Sequence, residues 1–185
     1  MQKLTYGIFL MLVITFIGCQ SSGQNQDTSQ AADYATELTG QSGVVDDVSE
    51  NDIVKVAIGS KDHSTLVAAV QAANYVDVLA NAGPFTVFAP TNNAFDKLPE
   101  GTVEGLLKPE AVDDLANILE YHVYVGVIKT ENMKDGQKLN QVNLKDVEIT
   151  VKDGDYFVNG SKILATVPAS NGVVYVIDDV LLPPE

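Results

Sequence analysis

Apolar residues in this chain recur first at helical spacing and then at strand spacing, and the switch predicts the order of its elements. Ile53, Val56 and Ala57 share one helical face and Gly59 follows as a stop, so a short helix should begin near Asp52. Asp62 or Ser64 is placed to cap a second helix. Its stripe runs through Leu66, Val67, Val70 and Ala73, then past Asn74 through Val76 and Leu79 to Gly83. Pro109 suits a first helical turn with Glu110 beside it, and opens a third helix carrying Val112, Leu115, Ile118 and Leu119 on one side.

Segments 85–89, 121–128, 147–152, 156–158, 163–167 and 173–182 are rich in Val, Ile, Tyr and Phe and read as strands. Asp153-Gly154, Asn159-Gly160 and Asn171-Gly172 separate the later ones, each offering the positive backbone angles of a tight hairpin. Early helices and late hairpins predict an α+β fold with an antiparallel meander in its C-terminal third.

The N-terminal stretch has a different pattern. Lys3 precedes an apolar run over residues 6–17, too short to span a bilayer, and Gly18 stands just before Cys19, the chain's only cysteine. Residues 1–18 therefore read as a lipoprotein signal peptide. Cys19 becomes the acylated N-terminus and the point of membrane attachment. An ordinary secretory signal is the alternative. Either way the remainder lies outside the cytoplasm, and on the lipoprotein reading it sits in a bacterial envelope, with the outer membrane or cell surface favoured over the inner membrane. Residues 19–50 are rich in Gln, Ser, Thr, Gly and Asp and predict a flexible acidic tether with a reach of roughly 30 Å, which leaves residues 51–185 as one domain.

Charge narrows the partners. All eleven basic residues are lysine, against twenty-five acids; removing the signal takes Lys3 away and moves the net charge from −14 to −15. Nucleic acid is a poor partner for such a surface. Without arginine there is no planar fork for two-point recognition of phosphates or carboxylates.

Longer segments then carry a resemblance. GPFTVFAPTNNAFDKLP at 83–99 is similar to the first signature segment of the fasciclin domain family. HSTLVAAVQAA precedes it; GTVEGLLKPE, Tyr121-His122, the VNG of 158–160 and SNGVVYVIDDVLLP at 170–183 follow in the family's order. The resemblance implies a fasciclin-like domain, a wedge of two β-sheets with a group of packed α-helices. It also implies adhesion, or contact with matrix or polysaccharide, without a shared catalytic site. Thr91 and Asn92 read as structural hydrogen bonders ahead of a helix containing Phe95, and His122, beside Tyr121 on a strand, as a residue that secures the core. Asn159, Gly160, Asn171 and Gly172 complete the motif residues. Two positions depart from the family pattern: Tyr124-Val125-Gly126 replaces a common Val-Pro-Gly run, and Tyr175 stands where histidine is frequent.

Little else in the chain has the form of a reactive site. The two histidines, His63 and His122, are far apart in sequence, and His63 reads as an exposed helix-start residue. No nucleophile elbow, phosphate loop, zinc motif or dinucleotide fingerprint occurs. Asp153-Gly154-Asp155 and Asp178-Asp179 read as turn and strand-end residues, and Asn159-Gly160-Ser161 as a hairpin rather than a glycosylation site. No catalytic residue, metal or cofactor is expected. The expected function is a non-catalytic binding or adhesion module contacting matrix, polysaccharide or a cell-surface protein. The alternative is a periplasmic carrier or sensor holding a small molecule or sugar between helices and sheet.

Overall fold

A computed structural model describes residues 51–184, so Cys19 and its proposed lipid lie outside the described part. The first helix, α1 (Ile53–Ile58), begins as its pattern predicts, with the Asp52 carboxylate accepting from Lys55 N at 2.8 Å. The long second helix divides into α2 (Ser64–Ala72) and α3 (Val76–Ala80). Asn74 takes a left-handed φ of 53°, Tyr75 N donates to Val70 O and Asn74 N to Gln71 O, a Schellman stop inside a continuous apolar stripe. Neither Asp62 nor Ser64 caps α2 through its side chain.

Next come β1 (Phe85–Pro90), α4 (Asn92–Phe95), α5 (Thr102–Leu106) and, after a 3-10 turn at Pro109–Ala111, α6 (Val112–Tyr121). The strand expected over 121–128 is reduced to β2 (Val123–Val125). Tyr121 ends α6 and His122 caps it, with its backbone N donating to Leu119 O at 3.0 Å. A short apolar run suits either element, and here the helical ladder runs two residues further.

The rest is a meander whose first strand, β3 (Gln137–Asn140), the sequence pattern does not predict, followed by the four expected ones: β4 (Asp146–Lys152), β5 (Asp155–Val158), β6 (Ser161–Ala169) and β7 (Gly172–Ile177). Strand β7 stops five residues before the predicted end, and Asp178-Asp179 lie beyond it. The Asp153-Gly154 and Asn159-Gly160 turns have φ of 53°/87° and 47°/85°, as their sequences require. The third turn differs. Ser170 and Asn171 form it, Ala169 pairs with Gly172, and neither Asn171 nor Gly172 has a positive φ.

Hydrogen bonding links seven strands in the order β2-β1-β7-β6-β5-β4-β3. β1 runs parallel to β7, and β6 belongs to both halves of the wedge. Its first residues pair with β5, while Ile163 and then 165–169 pair with β7, with a register shift between Ile163 and Ala165. β1 and β7 are buried on both faces, which explains their unbroken apolar sequences. Val87, Ala89 and Val174 face the helices with Ile53, Leu66, Val70 and Leu119. Phe88, Val173, Tyr175 and Ile177 face the other way, toward Tyr121, Val147, Ile149 and Val158.

Candidate functional site

The motif residues occupy three separate fastenings. The first lies at the start of the helices. Thr91 caps α4 by accepting from Ala94 N at 3.3 Å. Asn92 reaches back to α2: its Oδ1 accepts from Thr65 N at 3.0 Å and Ser64 Oγ at 3.3 Å, and its Nδ2 donates to Lys61 O at 3.0 Å. The cap that α2 lacks locally thus comes from a residue 27 positions later. Phe95 packs, partly buried, against the helix-side core.

His63 sits close to this junction and is buried at 6 % exposure rather than exposed. Its Nδ1 bonds Ser60 Oγ at 2.8 Å, and burial lowers its pKa.

The second fastening joins α6 to the meander. His122 is 3 % exposed; its Nδ1 lies 2.7 Å from Ile118 O, and its Nε2 accepts from Leu181 N at 3.0 Å. Both bonds are satisfied by neutral imidazole protonated on Nδ1, and burial drives the pKa down to about 4. The ring therefore ties the C-terminal segment to α6 and has no nitrogen left for acid-base work. Tyr121 donates its hydroxyl to Asp146 O at 2.9 Å and accepts from Asn159 Nδ2 at 2.8 Å, while Asn159 Oδ1 accepts from Glu148 N at 2.8 Å. Gly160 supplies the second positive φ of that turn.

The third fastening is at the β6–β7 hairpin. Buried Asn171 accepts from Ile53 N at 3.0 Å and donates to Leu79 O and Asn81 O, both at 2.7 Å, which pins α1 and the end of α3 to the sheet. Its own carbonyl accepts from Phe85 N at 3.0 Å. Gly172 is required for closeness, because a Cβ there would stand 2.0 Å from Phe85 O. Tyr175, at the position where histidine is frequent, donates its hydroxyl to Ile128 O at 2.7 Å.

What remains open to a ligand lies between these fastenings. An apolar cavity of about 40 Å³ sits among α1, α2, α3 and β1/β7, lined by Ile53, Val67, Val70, Val76 and Val174 and reaching the surface at Ile58, which is 37 % exposed. A smaller one of about 30 Å³ lies between α2, α6 and the C-terminal segment, and His122 lines both. Sequence pattern carries no sign of these spaces, since they arise where elements distant in sequence pack imperfectly. Among the described residues no cluster of His, Cys, Asp or Glu could hold a metal ion.

The sequence profile of the Fasciclin domain matches residues 61–183. The chain belongs to the fasciclin family. It is 48 % identical to Protein sll1483 of Synechocystis sp. over 152 residues, 80 % of this chain and 84 % of that one. It is 34 % identical to the Cell surface glycolipoprotein MPB83 of Mycobacterium bovis over 161 residues, 83 % of this chain and 70 % of that one. The fold also matches the solved FAS1 domain pair of the insect cell adhesion molecule Fasciclin I, with a TM-score of 0.64 at 18 % identity, covering 73 % of this chain and 52 % of that one. Fasciclin domains thus occur in cell-surface and adhesion proteins. Among the described residues no helix is long and apolar enough to cross a membrane.

Proposed function

We propose that this fasciclin protein is a non-catalytic adhesion module. Cys19 carries the lipid that holds it in a bacterial envelope, and the domain contacts matrix, polysaccharide or a surface protein of a neighbouring cell. The observation that carries the reading is how the family's motif residues are used. Asn92, Tyr121, His122, Asn159 and Asn171 spend their polar atoms on hydrogen bonds within the domain, so the motif builds a scaffold and recognition is left to the exposed surface. The similarity to a cell surface glycolipoprotein over 83 % of the chain supports the envelope placement.

The test is digestion of intact cells by an impermeant protease, together with aggregation and surface attachment of cells lacking the protein. Rapid digestion and a loss of attachment are expected. Protection until the envelope is broken, with unchanged attachment, overturns the reading. Cys19→Ser should move the protein from the membrane to the soluble fraction.

The cavity favours one second reading, a carrier of a small molecule. Its lining is apolar and the His122 nitrogens are already bonded, so a sugar would lose the hydration of its hydroxyls without replacement. The carried molecule is therefore small and apolar. Xenon, an apolar probe smaller than benzene, should raise the melting temperature saturably, and Ala57→Leu, which puts bulk into the lining, should abolish that rise.

A further inference from the structure

Strand β2 stands last in the sheet, and part of its outer edge is unused. Tyr124 pairs with Thr86 of β1, His122 O accepts from Phe88 N at 2.9 Å, and Gly126 N donates to Pro84 O at 2.8 Å. Thr86 Oγ1 donates to Gly126 O and accepts from Ile128 N. Backbone groups alternate in direction along a strand, so those of Val123, Val125 and Val127 face away from β1. Val142 N closes this edge at Val123 O, 2.9 Å away. Among the described residues no group bonds the backbone of Val125 or Val127. Their side chains are exposed too, Val125 at 63 % and Val127 at 49 %.

The surface around them carries no charge. Residues 78–95, 121–128 and 163–177 contain no lysine or carboxylate, and the sheet brings them together at one end, with Phe85 beside Val125 on one side and Gly172 on the other. Asn171 holds the end of α3 there, which adds Val78 at 41 % exposure. Asp77, Lys129 and the Asp52–Lys55 pair lie at the rim. Exposed edges are ordinarily guarded by charged side chains. In a chain of net charge −14, this edge has none within it.

We propose that the open edge of β2 pairs with the same edge of a second copy. The pairing is antiparallel about a two-fold axis at Gly126, which sets Val125 beside Val127 of the second copy and Val127 beside its Val125. Each pair exchanges two backbone hydrogen bonds. In this register the strand is its own complement, as a two-fold contact requires. The contact is bounded at both ends: Val142 covers Val123, and Ile128 turns inward to Thr86, so only residues 125–127 take part.

Charge selects the occupant. Two acidic bodies meet with least repulsion where neither carries a charge, and an acidic or basic partner finds no counter-charge on this tip. The pairing goes beyond the adhesion reading and does not depend on it. If that reading holds, two joined copies present two adhesive surfaces, and a weak contact per copy becomes an avid one.

Sedimentation velocity of the full chain carrying Cys19→Ser, which keeps the proposed lipid out of the measurement, tests the pairing. So short a contact should give a monomer–dimer equilibrium with a dissociation constant of roughly 100 µM. Raising the salt from about 0.05 M to about 0.5 M should tighten it at least ~3-fold, because screening removes repulsion between the two bodies. Val125→Glu or Val127→Glu should weaken it at least ~10-fold, while Leu144→Glu, at a leucine 79 % exposed elsewhere, should leave it unchanged. Exchange of the Val125 amide should slow as concentration rises, and the Val87 amide should stay protected in every variant, which shows that each is folded. A monomer at all concentrations up to ~1 mM overturns the proposal and leaves the edge to a strand of another protein. A dimer that withstands both glutamates, falls equally with Leu144→Glu, or loosens with salt overturns it as well.

Discussion

On the helix side of β1 and β7 the core is almost wholly aliphatic, built from Ile53, Leu66, Val70, Leu119 and Val174, and it encloses the 40 Å³ cavity. On the far side Phe88 and Tyr175 stack with ring centroids 5.9 Å apart, and the Tyr121 and Tyr175 hydroxyls bond backbone carbonyls. Rings with a hydroxyl at one end fill space and fix direction together, whereas branched aliphatics on short helices fill space without choosing one arrangement. The aliphatic half compensates at its margins, where Asn92, Asn171 and His122 join elements that packing alone leaves loosely positioned.

The largest effect expected is at the Asn171 margin. Gly172→Ala places a methyl 2.0 Å from the Phe85 carbonyl and should cost about 4 kcal/mol or abolish folding, read by urea denaturation. Gly160→Ala is the control: its Cβ meets nothing within 4 Å, and only the φ of 85° opposes it, so about 1 kcal/mol is expected.

His122→Ala should follow, at about 3 kcal/mol at pH 7, through a cavity and an orphaned Leu181 amide. The pH dependence has a definite sign. The folded-state pKa of about 4 lies below the ordinary histidine value of 6.5, so the unfolded chain binds the extra proton first. The stability from keeping His122 neutral is complete above pH 6.5 and is lost as pH falls toward 4, by about 3 kcal/mol in all. In His122→Ala most of that loss should disappear. A residual decline of the same sign remains from His63, whose pKa is also lowered by burial.

On the aromatic side Tyr121→Phe should cost about 1–2 kcal/mol, since it leaves the Asp146 carbonyl and the Asn159 amide without their partner. A double-mutant cycle with Asn159→Ala should show coupling. The smallest effect contrasts the halves directly. Ala57→Leu, beside the cavity, should change stability by less than about 1 kcal/mol, whereas Val158→Leu in the filled half should cost about 1–3 kcal/mol. Equal costs from the two enlargements would mean that the two sides are packed alike.

Features set by a few neighbouring residues are legible in the amino-acid sequence itself. The Asp52 cap, the Gly59 stop and the Asp153-Gly154 and Asn159-Gly160 turns depend on φ values and bonds spanning a few positions. Longer apolar patterns and the family motifs indicate the α+β class, the meander and the identity of the hydrogen-bonding residues. The role of each motif residue is less accessible. Asn171-Gly172 has the composition of a hairpin turn, yet Asn171 bonds partners 90 to 118 positions away and Gly172 is dictated by the backbone of another strand. Asn92 has the form of a local cap, yet Thr91 caps α4 and the Asn92 side chain caps a helix that precedes it.

Local pattern is silent where tertiary contacts decide between near-equal local states. Residues 121–128 suit a strand or the end of a helix, and packing of Leu119 and Tyr121 into opposite cores extends α6. His63 is polar and near a helix start, which argues for exposure until β1 and α4 close over it. β3, with the sequence Gln-Lys-Leu-Asn, has little apolar signal and exists because β4 offers it a ladder. Short-range hydrogen bonds and turn angles are properties of adjacent residues, so the sequence alone determined them. Burial, the joining of the two sheets through β6 and the cavity beneath the helices depend on which distant surfaces meet, and only the tertiary structure decided those.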